Sequence, residues 1–148
     1  MGKYASCYFS PRRGAASQVI GFIKRCTTFI DAAVYSITHD EIAQALIEAH
    51  QRGVAVRVLM DKSQAGMKWA DDEKMEAVGI PVRRDNQSGS MHNKFILGDG
   101  TAVGTGSFNW TANADQKNAE NFVVLRLKYI VDEFQSEFND LWEKNAPE

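Results

Sequence analysis

The feature that most constrains the fold is a short stretch from His92 to Asn109, which reads HNKFILGDGTAVGTGSFN. Two runs rich in apolar and β-branched residues flank its Gly98-Asp99-Gly100 step. An Asp-Gly step between two such runs is a strong local signal for a β-hairpin. The stretch therefore predicts two strands that fold back on each other.

Alternation along these two strands separates polar from apolar side chains. Successive side chains of a strand point to opposite faces, so His92 and Lys94 share one face of HNKFIL. The same rule places Ser107 and Asn109 on one face of GSFNW. Pairing outward from the turn brings His92 and Lys94 opposite Gly106 and Ser107. An imidazole, an ammonium, a hydroxyl and a carboxamide then converge, which indicates an anion site with a nucleophile.

At these residues the chain resembles the phospholipase D superfamily. The signature of that superfamily is His-x-Lys, then four residues and Asp, followed by a Gly-Ser-x-Asn segment. The matching residues are His92, Lys94, Asp99, Gly106, Ser107 and Asn109. The chain is most similar to small single-motif bacterial endonucleases, and the likeness extends through YSIT and KNAEN elsewhere in the sequence.

The resemblance implies a catalytic role for five side chains. His92 is the expected nucleophile, because an imidazole that titrates near ~6.5 supplies an uncharged nitrogen at neutral pH. Lys94 and Asn109 are expected to donate to the non-bridging phosphate oxygens, where negative charge accumulates during transfer. Ser107 belongs to the site in the family. Glu120 lies where related endonucleases carry a glutamate that hydrogen-bonds the nucleophilic histidine.

Asp99 completes the catalytic set of the motif, but three of these candidates also have a purely structural interpretation. An Asp in a Gly-Asp-Gly turn is explained by turn geometry alone, which favours a supporting role for Asp99. Ser107 is also explained as a residue that tightens the chain after Gly106. Glu120 is also explained as a surface residue of a strand.

A second set of residues is predicted to contact the substrate. Arg83 and Arg84 form a local basic pair, and Lys117 is a candidate for contact with a phosphate backbone. Trp110 is a candidate for stacking on a base. By alternation Trp110 points away from Asn109, so packing in the core is the competing interpretation.

The composition of the 148 residues limits the possible partners. Lys and Arg number 17 against 19 Asp and Glu, a formal net charge of -2, so any contact with a polyanion must be local. No apolar run approaches the roughly 20 residues that cross a bilayer, and no signal peptide pattern begins the sequence, which predicts a cytoplasmic protein or an excised mature domain. Cys7 and Cys26 lack the spacing of a metal site or a disulfide framework. Neither a metal nor a cofactor is predicted.

The order of predicted elements favours one α/β domain over residues 1–148. The expected architecture is a mixed, largely parallel central sheet with helices on both faces. Besides the hairpin, hydrophobic periodicity predicts strands at 4–10, 29–37, 54–60, 80–84 and 119–127, and helices at 15–28, 40–53 and 129–144, with shorter helical segments within 61–79 and 111–117.

The resemblance implies a metal-independent phosphodiesterase, foremost an endonuclease that cleaves DNA, RNA or both through a covalent phosphohistidine. Because the chain holds one motif, a homodimer is expected, with two His92 side chains facing each other across one shared site. The first alternative is a phospholipid hydrolase of the phospholipase D or cardiolipin type, although no amphipathic anchor is evident. The second is a noncatalytic nucleic-acid-binding module, against which the intact motif argues.

Overall fold

A computed structural model describes residues 3–147 of the chain. Seven strands form one sheet, and five helices connect or cover them. The strands are β1 (Ala5–Ser10), β2 (Phe29–Val34), β3 (Ala55–Asp61), β4 (Val82–Asp85), β5 (Lys94–Gly98), β6 (Ala102–Gly106) and β7 (Glu120–Leu125). The helices are α1 (Ala15–Arg25), α2 (Asp40–Gln51), α3 (Asp72–Ala77), α4 (Ala112–Gln116) and α5 (Lys128–Lys144).

The sheet has the order β1-β7-β6-β5-β2-β3-β4 and is mixed. The α/β class is confirmed, but the expectation of a largely parallel sheet is wrong. Only β2 with β3 and β3 with β4 run parallel, whereas the other four neighbouring pairs are antiparallel. Parallel neighbours need a long crossover, which α2 and α3 supply; the tight β5–β6 turn can join only antiparallel strands.

Helices cover both faces of the sheet, as the sequence predicts. On one face α1 and α2 bury apolar stripes that include Phe22, Ile23 and Leu46. On the other face α5 packs Val131, Phe138 and Trp142 against the sheet. The sheet lies between two apolar layers, which fixes its register because a slip by one residue would exchange the faces.

The predicted hairpin forms at the expected place, but its strands are shorter than expected. β5 begins only at Lys94 and β6 ends at Gly106, so His92 and Ser107 lie just outside them. Phe95 pairs with Thr105 and Gly98 pairs with Ala102, and Asp99 begins the turn between them with a φ of 56°. Phe95 lies in the apolar layer under α5, while Ile96 faces the opposite layer. Lys94 therefore shares the face of Ile96, as alternation requires.

Strand directions determine where the functional groups gather. Because β5 and β7 run against their neighbours, their first residues lie at the same end of the sheet as the last residues of the other strands. We call this end of the sheet the site edge; His92, Ser107 and Glu120 all lie at it. In open α/β sheets, ligands commonly bind beyond the carboxyl ends of strands.

Candidate active site

His92 and Lys94 form the centre of the site edge. His92 precedes β5 and is exposed, and Lys94 is the first residue of that strand. The ammonium nitrogen Nζ of Lys94 lies 2.8 Å from Nδ1 of His92 and donates to the His92 carbonyl oxygen at 2.7 Å. An ammonium can only donate, so Nδ1 accepts this hydrogen bond and the proton of a neutral His92 ring lies on Nε2.

Tyr35, which sequence reasoning missed as a site residue, lies against this pair. Its ring centroid is 4.5 Å from that of His92, and Nζ of Lys94 lies 5.6 Å from the Tyr35 centroid. The Tyr35 hydroxyl accepts a hydrogen bond from the side chain of Gln64 at 3.2 Å. Tyr35 therefore limits the orientations that the imidazole can adopt. The YSIT likeness was the only sequence signal that pointed to it.

Asn109 reaches the site from the segment after β6. Its Oδ1 accepts a hydrogen bond from the backbone N–H of Ser36 at 3.2 Å. This contact orients the carboxamide and leaves its NH₂ group as the donor for a phosphate oxygen. Because Tyr35 contacts His92 and Ser36 holds Asn109, the chain that follows β2 links the two halves of the motif.

Ser107 lies at the site edge and is exposed. Its backbone N–H donates to the carbonyl of Asn121 at 3.2 Å, and its Oγ accepts the Asn121 N–H at 3.1 Å. A Cβ at Gly106 would collide with the Asn121 carbonyl oxygen, so this close approach requires glycine. The Gly-Ser pair thus joins β6 to β7 and also presents a hydroxyl at the site.

Glu120 begins β7 and acts on Lys94 through its charge. Burial lowers the pKa of Lys94 below its ordinary value, and the Glu120 carboxylate opposes that shift. Among residues 3–147, no hydrogen bond joins Glu120 to His92. The expected contact between Glu120 and the imidazole is therefore not formed in this arrangement, because Lys94 occupies Nδ1.

Asp99 lies at the opposite end of β5 from His92, and the five residues of that strand alone span roughly 16 Å. Its carboxylate accepts hydrogen bonds from the backbone N–H groups of Thr27, Thr28 and Phe29 at 2.7 to 3.1 Å. The assignment of Asp99 as catalytic is therefore wrong. The residue instead binds the chain at the start of β2.

Of the predicted substrate contacts, only Lys117 remains exposed near the site edge, where it ends α4. Trp110 is 1% exposed and packs in the core, so its assignment to base stacking is wrong. Arg84 forms ion pairs with Asp72 and Glu76, both at 2.9 Å. Arg83 donates to the carbonyl of Trp142 and covers its ring. Both arginines hold helices to β4, which argues against a role in substrate binding.

The acidic side chains do not assemble a metal centre in the part of the chain that the structure describes. No group of three or more His, Cys, Asp or Glu side chains there has an arrangement that could hold a metal ion. Within the same residues, no helix is long and apolar enough to cross a bilayer.

Comparison with known proteins identifies the family. A family model described as "Cardiolipin synthase, PLD-like domain" matches residues 19–142. The chain is 36% identical over 141 residues to a mitochondrial cardiolipin hydrolase of Chlamydomonas reinhardtii, covering 95% of this chain and 63% of that protein. It is 34% identical over 145 residues to the protein of the same name from Xenopus tropicalis, covering 98% and 69%.

A solved structure shows the same fold over nearly the whole chain. Nuc from Salmonella typhimurium, a phospholipase D family member, superposes with a TM-score of 0.91 at 31% identity, covering 96% of this chain and 95% of that one. The chain belongs to the phospholipase D superfamily of phosphodiesterases. Within that superfamily, the chain belongs to the family of PLD-like domains of the cardiolipin synthase type. This confirms the family and the enzyme class that the motif indicated.

The position of Asp99 generates a prediction about stability. Asp99→Ala should lower the free energy of unfolding by about 1 kcal/mol, because three backbone N–H groups lose a charged acceptor at a partly exposed position. Chemical denaturation measures this loss. Asp132→Ala, which removes an exposed carboxylate paired with Lys128 near the same end of the sheet, is the matched control and should change stability less.

The effect of Asp99→Ala should also depend on pH. Burial favours a raised pKa for Asp99, but hydrogen bonds from Thr28, Thr27 and Phe29 outweigh it and hold the pKa below its ordinary value. A depressed carboxyl pKa stabilises the fold above the unfolded pKa, near ~3.9, and this contribution is lost as pH falls through the folded pKa. The difference from wild type should therefore shrink in acid. A difference that grows in acid would contradict this role.

Proposed function

We propose that this chain is a metal-independent endonuclease that cleaves DNA, RNA or both through a covalent intermediate on His92. The observation that carries the proposal is the group at the site edge: the His92 imidazole with Lys94 Nζ at 2.8 Å, beside the oriented carboxamide of Asn109. Such a group offers a nucleophilic nitrogen and donors for a phosphate that becomes more negative. This side-chain set requires no metal for either task.

In the first step, Nε2 of His92 attacks phosphorus as the phosphorus–oxygen bond to the leaving nucleoside breaks. Before attack, the ring proton moves from Nε2 to Nδ1 by exchange with solvent. This change of tautomer requires that Lys94 leave Nδ1 and that Glu120 accept the new Nδ1 hydrogen bond. A carboxylate at Nδ1 stabilises the tautomer whose Nε2 lone pair is available. Lys94 is then released to donate to a non-bridging phosphate oxygen.

The leaving oxygen needs a proton from a second group. His39 is a poor candidate because its side chain is 14% exposed and lies 3.9 Å from Asp115. His50 lies in the last turn of α2, near the end of the sheet away from the site edge. We therefore propose that a second copy supplies the donor. The partner's His92, with its proton on Nε2, protonates the leaving oxygen and then accepts a proton from the water that hydrolyses the phosphohistidine.

Charge at the site edge supports a polyanionic substrate. The exposed side chains of Arg12, Lys62 and Lys117 lie next to it in a chain whose formal net charge is -2. Such a local concentration of cations suits contacts to a phosphate backbone. The superposition with Nuc covers nearly all of both chains, which is also consistent with a compact enzyme of this size.

The second candidate function is hydrolysis of a phospholipid such as cardiolipin. It is favoured by the similarity to the mitochondrial cardiolipin hydrolases of Chlamydomonas reinhardtii and Xenopus tropicalis. The chain spans 63% and 69% of their lengths. Both candidates use the same phosphodiester chemistry, and substrate shape decides between them. A noncatalytic binding module remains the third candidate.

Comparison of substrates tests the proposal directly. Wild type and His92→Ala are incubated in EDTA with labelled single-stranded DNA, duplex DNA, RNA and cardiolipin vesicles. We expect cleavage of nucleic acid in chelator and a loss on the order of 10³-fold or more in His92→Ala. Cleavage of cardiolipin alone would establish the second candidate. Absence of turnover on every substrate would favour the binding module, and rescue by added metal would contradict the metal-independent mechanism.

A mixed dimer tests the shared site. Heterodimers with one intact chain and one His92→Ala chain can be purified through two different tags. If one site needs both histidines, the heterodimer should be no more active than the homodimer in which both chains carry His92→Ala. Independent sites predict about half of the wild-type rate instead, which would contradict the proposal. Light scattering confirms that the purified species are dimers.

A further inference from the structure

Two of the most exposed large apolar side chains lie on one loop beside the site. The segment 62–71, here called the β3–α3 loop, leaves β3 at the site edge. It carries Trp69, which is 73% exposed, and Met67, which is 57% exposed. The other two tryptophans of the chain, Trp110 and Trp142, are 1% and 8% exposed. An indole left in water next to an active site calls for a physical explanation.

Buried carboxylates hold the β3–α3 loop in place. Asp61, at the end of β3, accepts the backbone N–H of Ser63 at 3.0 Å and that of Met91 at 2.8 Å. Asp72, at the start of α3, accepts the backbone N–H of Gly66 at 3.0 Å and is itself paired with Arg84. The loop is thus anchored on both sides of its exposed tip, so Trp69 is presented on a fixed support.

The same loop is tied to the nucleophile. Gln64 donates to the hydroxyl of Tyr35, whose ring lies 4.5 Å from the His92 ring. The backbone N–H of Asp71 donates to the carbonyl of Ile37 at 3.0 Å, two residues after Tyr35. Both ends of the tip are therefore attached to the segment that carries Tyr35, so the loop that bears Trp69 lies at the site edge.

The tip combines an aromatic ring with a cation. Nζ of Lys68 lies 4.8 Å from the centroid of the Trp69 ring, and Lys68 is exposed. Aromatic rings stack on unpaired bases with little sequence preference, and neighbouring lysines contact the phosphates between them. We propose that Trp69 and Lys68 form a stacking platform that binds an unpaired base and its phosphate as single-stranded nucleic acid reaches His92. This inference rests on the proposed nuclease function and names its preferred substrate form.

The composition of the loop favours nucleic acid over a lipid surface. Besides the two exposed apolar residues, the loop carries Lys62, Ser63, Gln64 and Lys68. Membrane-surface segments bury a broad apolar face, and binding strength grows with that apolar area. One indole and one methionine offer little area, whereas one indole beside a lysine is sufficient for a base and a phosphate.

Fluorescence titration with oligothymidylate tests the platform without cleavage. In the His92→Ala chain, stacking on Trp69 should quench tryptophan emission, because the other two tryptophans are buried. Trp69→Ala in the same background should raise the Kd for the oligonucleotide about tenfold, measured by anisotropy, while Trp69→Phe should keep it within about threefold. Rescue by phenylalanine separates stacking from a structural effect of the alanine variant.

Tyr129→Ala is the matched control, because Tyr129 is 67% exposed at the start of α5, near the end of the sheet away from the site. It should leave the Kd unchanged. An equal Kd for the oligonucleotide in His92→Ala with and without Trp69→Ala would overturn the inference. It would also be overturned if Trp69→Ala weakened binding to cardiolipin vesicles but left binding to the oligonucleotide unchanged. If wild type cleaves nucleic acid but Trp69→Ala shows the wild-type KM, only the platform fails. If wild type cleaves no nucleic acid, the proposed function itself fails.

Discussion

The end of β2 holds the two halves of the site together. β2 lies in the interior of the sheet, hydrogen-bonded to β5 on one side and to β3 on the other. The chain that continues from it places the Tyr35 ring against His92 and the Ser36 N–H on Asn109. Neither half of the motif would be oriented by the hairpin alone. The precision of the site therefore derives from a strand about sixty residues earlier in the sequence.

Lys94 holds the His92 imidazole in one arrangement, and we propose that Glu120 holds it in a second. Lys94 now occupies Nδ1 of His92, which leaves the ring proton on Nε2 and suits a proton donor. A carboxylate at Nδ1 would free Nε2 and suit a nucleophile. A reaction in which two copies of His92 take different roles needs both arrangements, so the observed contact fits one of the two roles that we propose for this residue.

Local patterns predicted the parts of the molecule that depend on neighbouring residues. The Asp-Gly step and the alternation of HNKFIL were sufficient for the hairpin, its register and the two faces of β5. The proportion of parallel strands was mispredicted because strand order depends on pairing between distant segments. Turn geometry favoured a supporting role for Asp99, but its partners, Thr27 and Thr28, could not be identified because they lie about seventy residues away. For Trp110, packing in the core was already the competing interpretation, because alternation pointed its ring away from Asn109.

The residues that sequence reasoning missed share a cause. Gln64 and Trp69 carry no motif, and only the YSIT likeness pointed to Tyr35. The relation of these residues to His92 exists only once β2 and β3 lie side by side. Arg84 looked available for a phosphate because its partners Asp72 and Glu76 could not be identified from spacing. The role of a surface cation can be assigned only after its neighbours are known, whereas a strand motif predicts local structure from its own residues.

The covalent step on His92 can be tested by trapping the phosphohistidine. Wild type is mixed with an excess of single-stranded oligonucleotide in EDTA, quenched in alkali within a turnover, and digested for mass spectrometry. The covalent mechanism predicts a nucleotide adduct on the peptide that contains His92 and none on the same peptide of His92→Ala. Rapid cleavage in EDTA with no adduct on that peptide would contradict it.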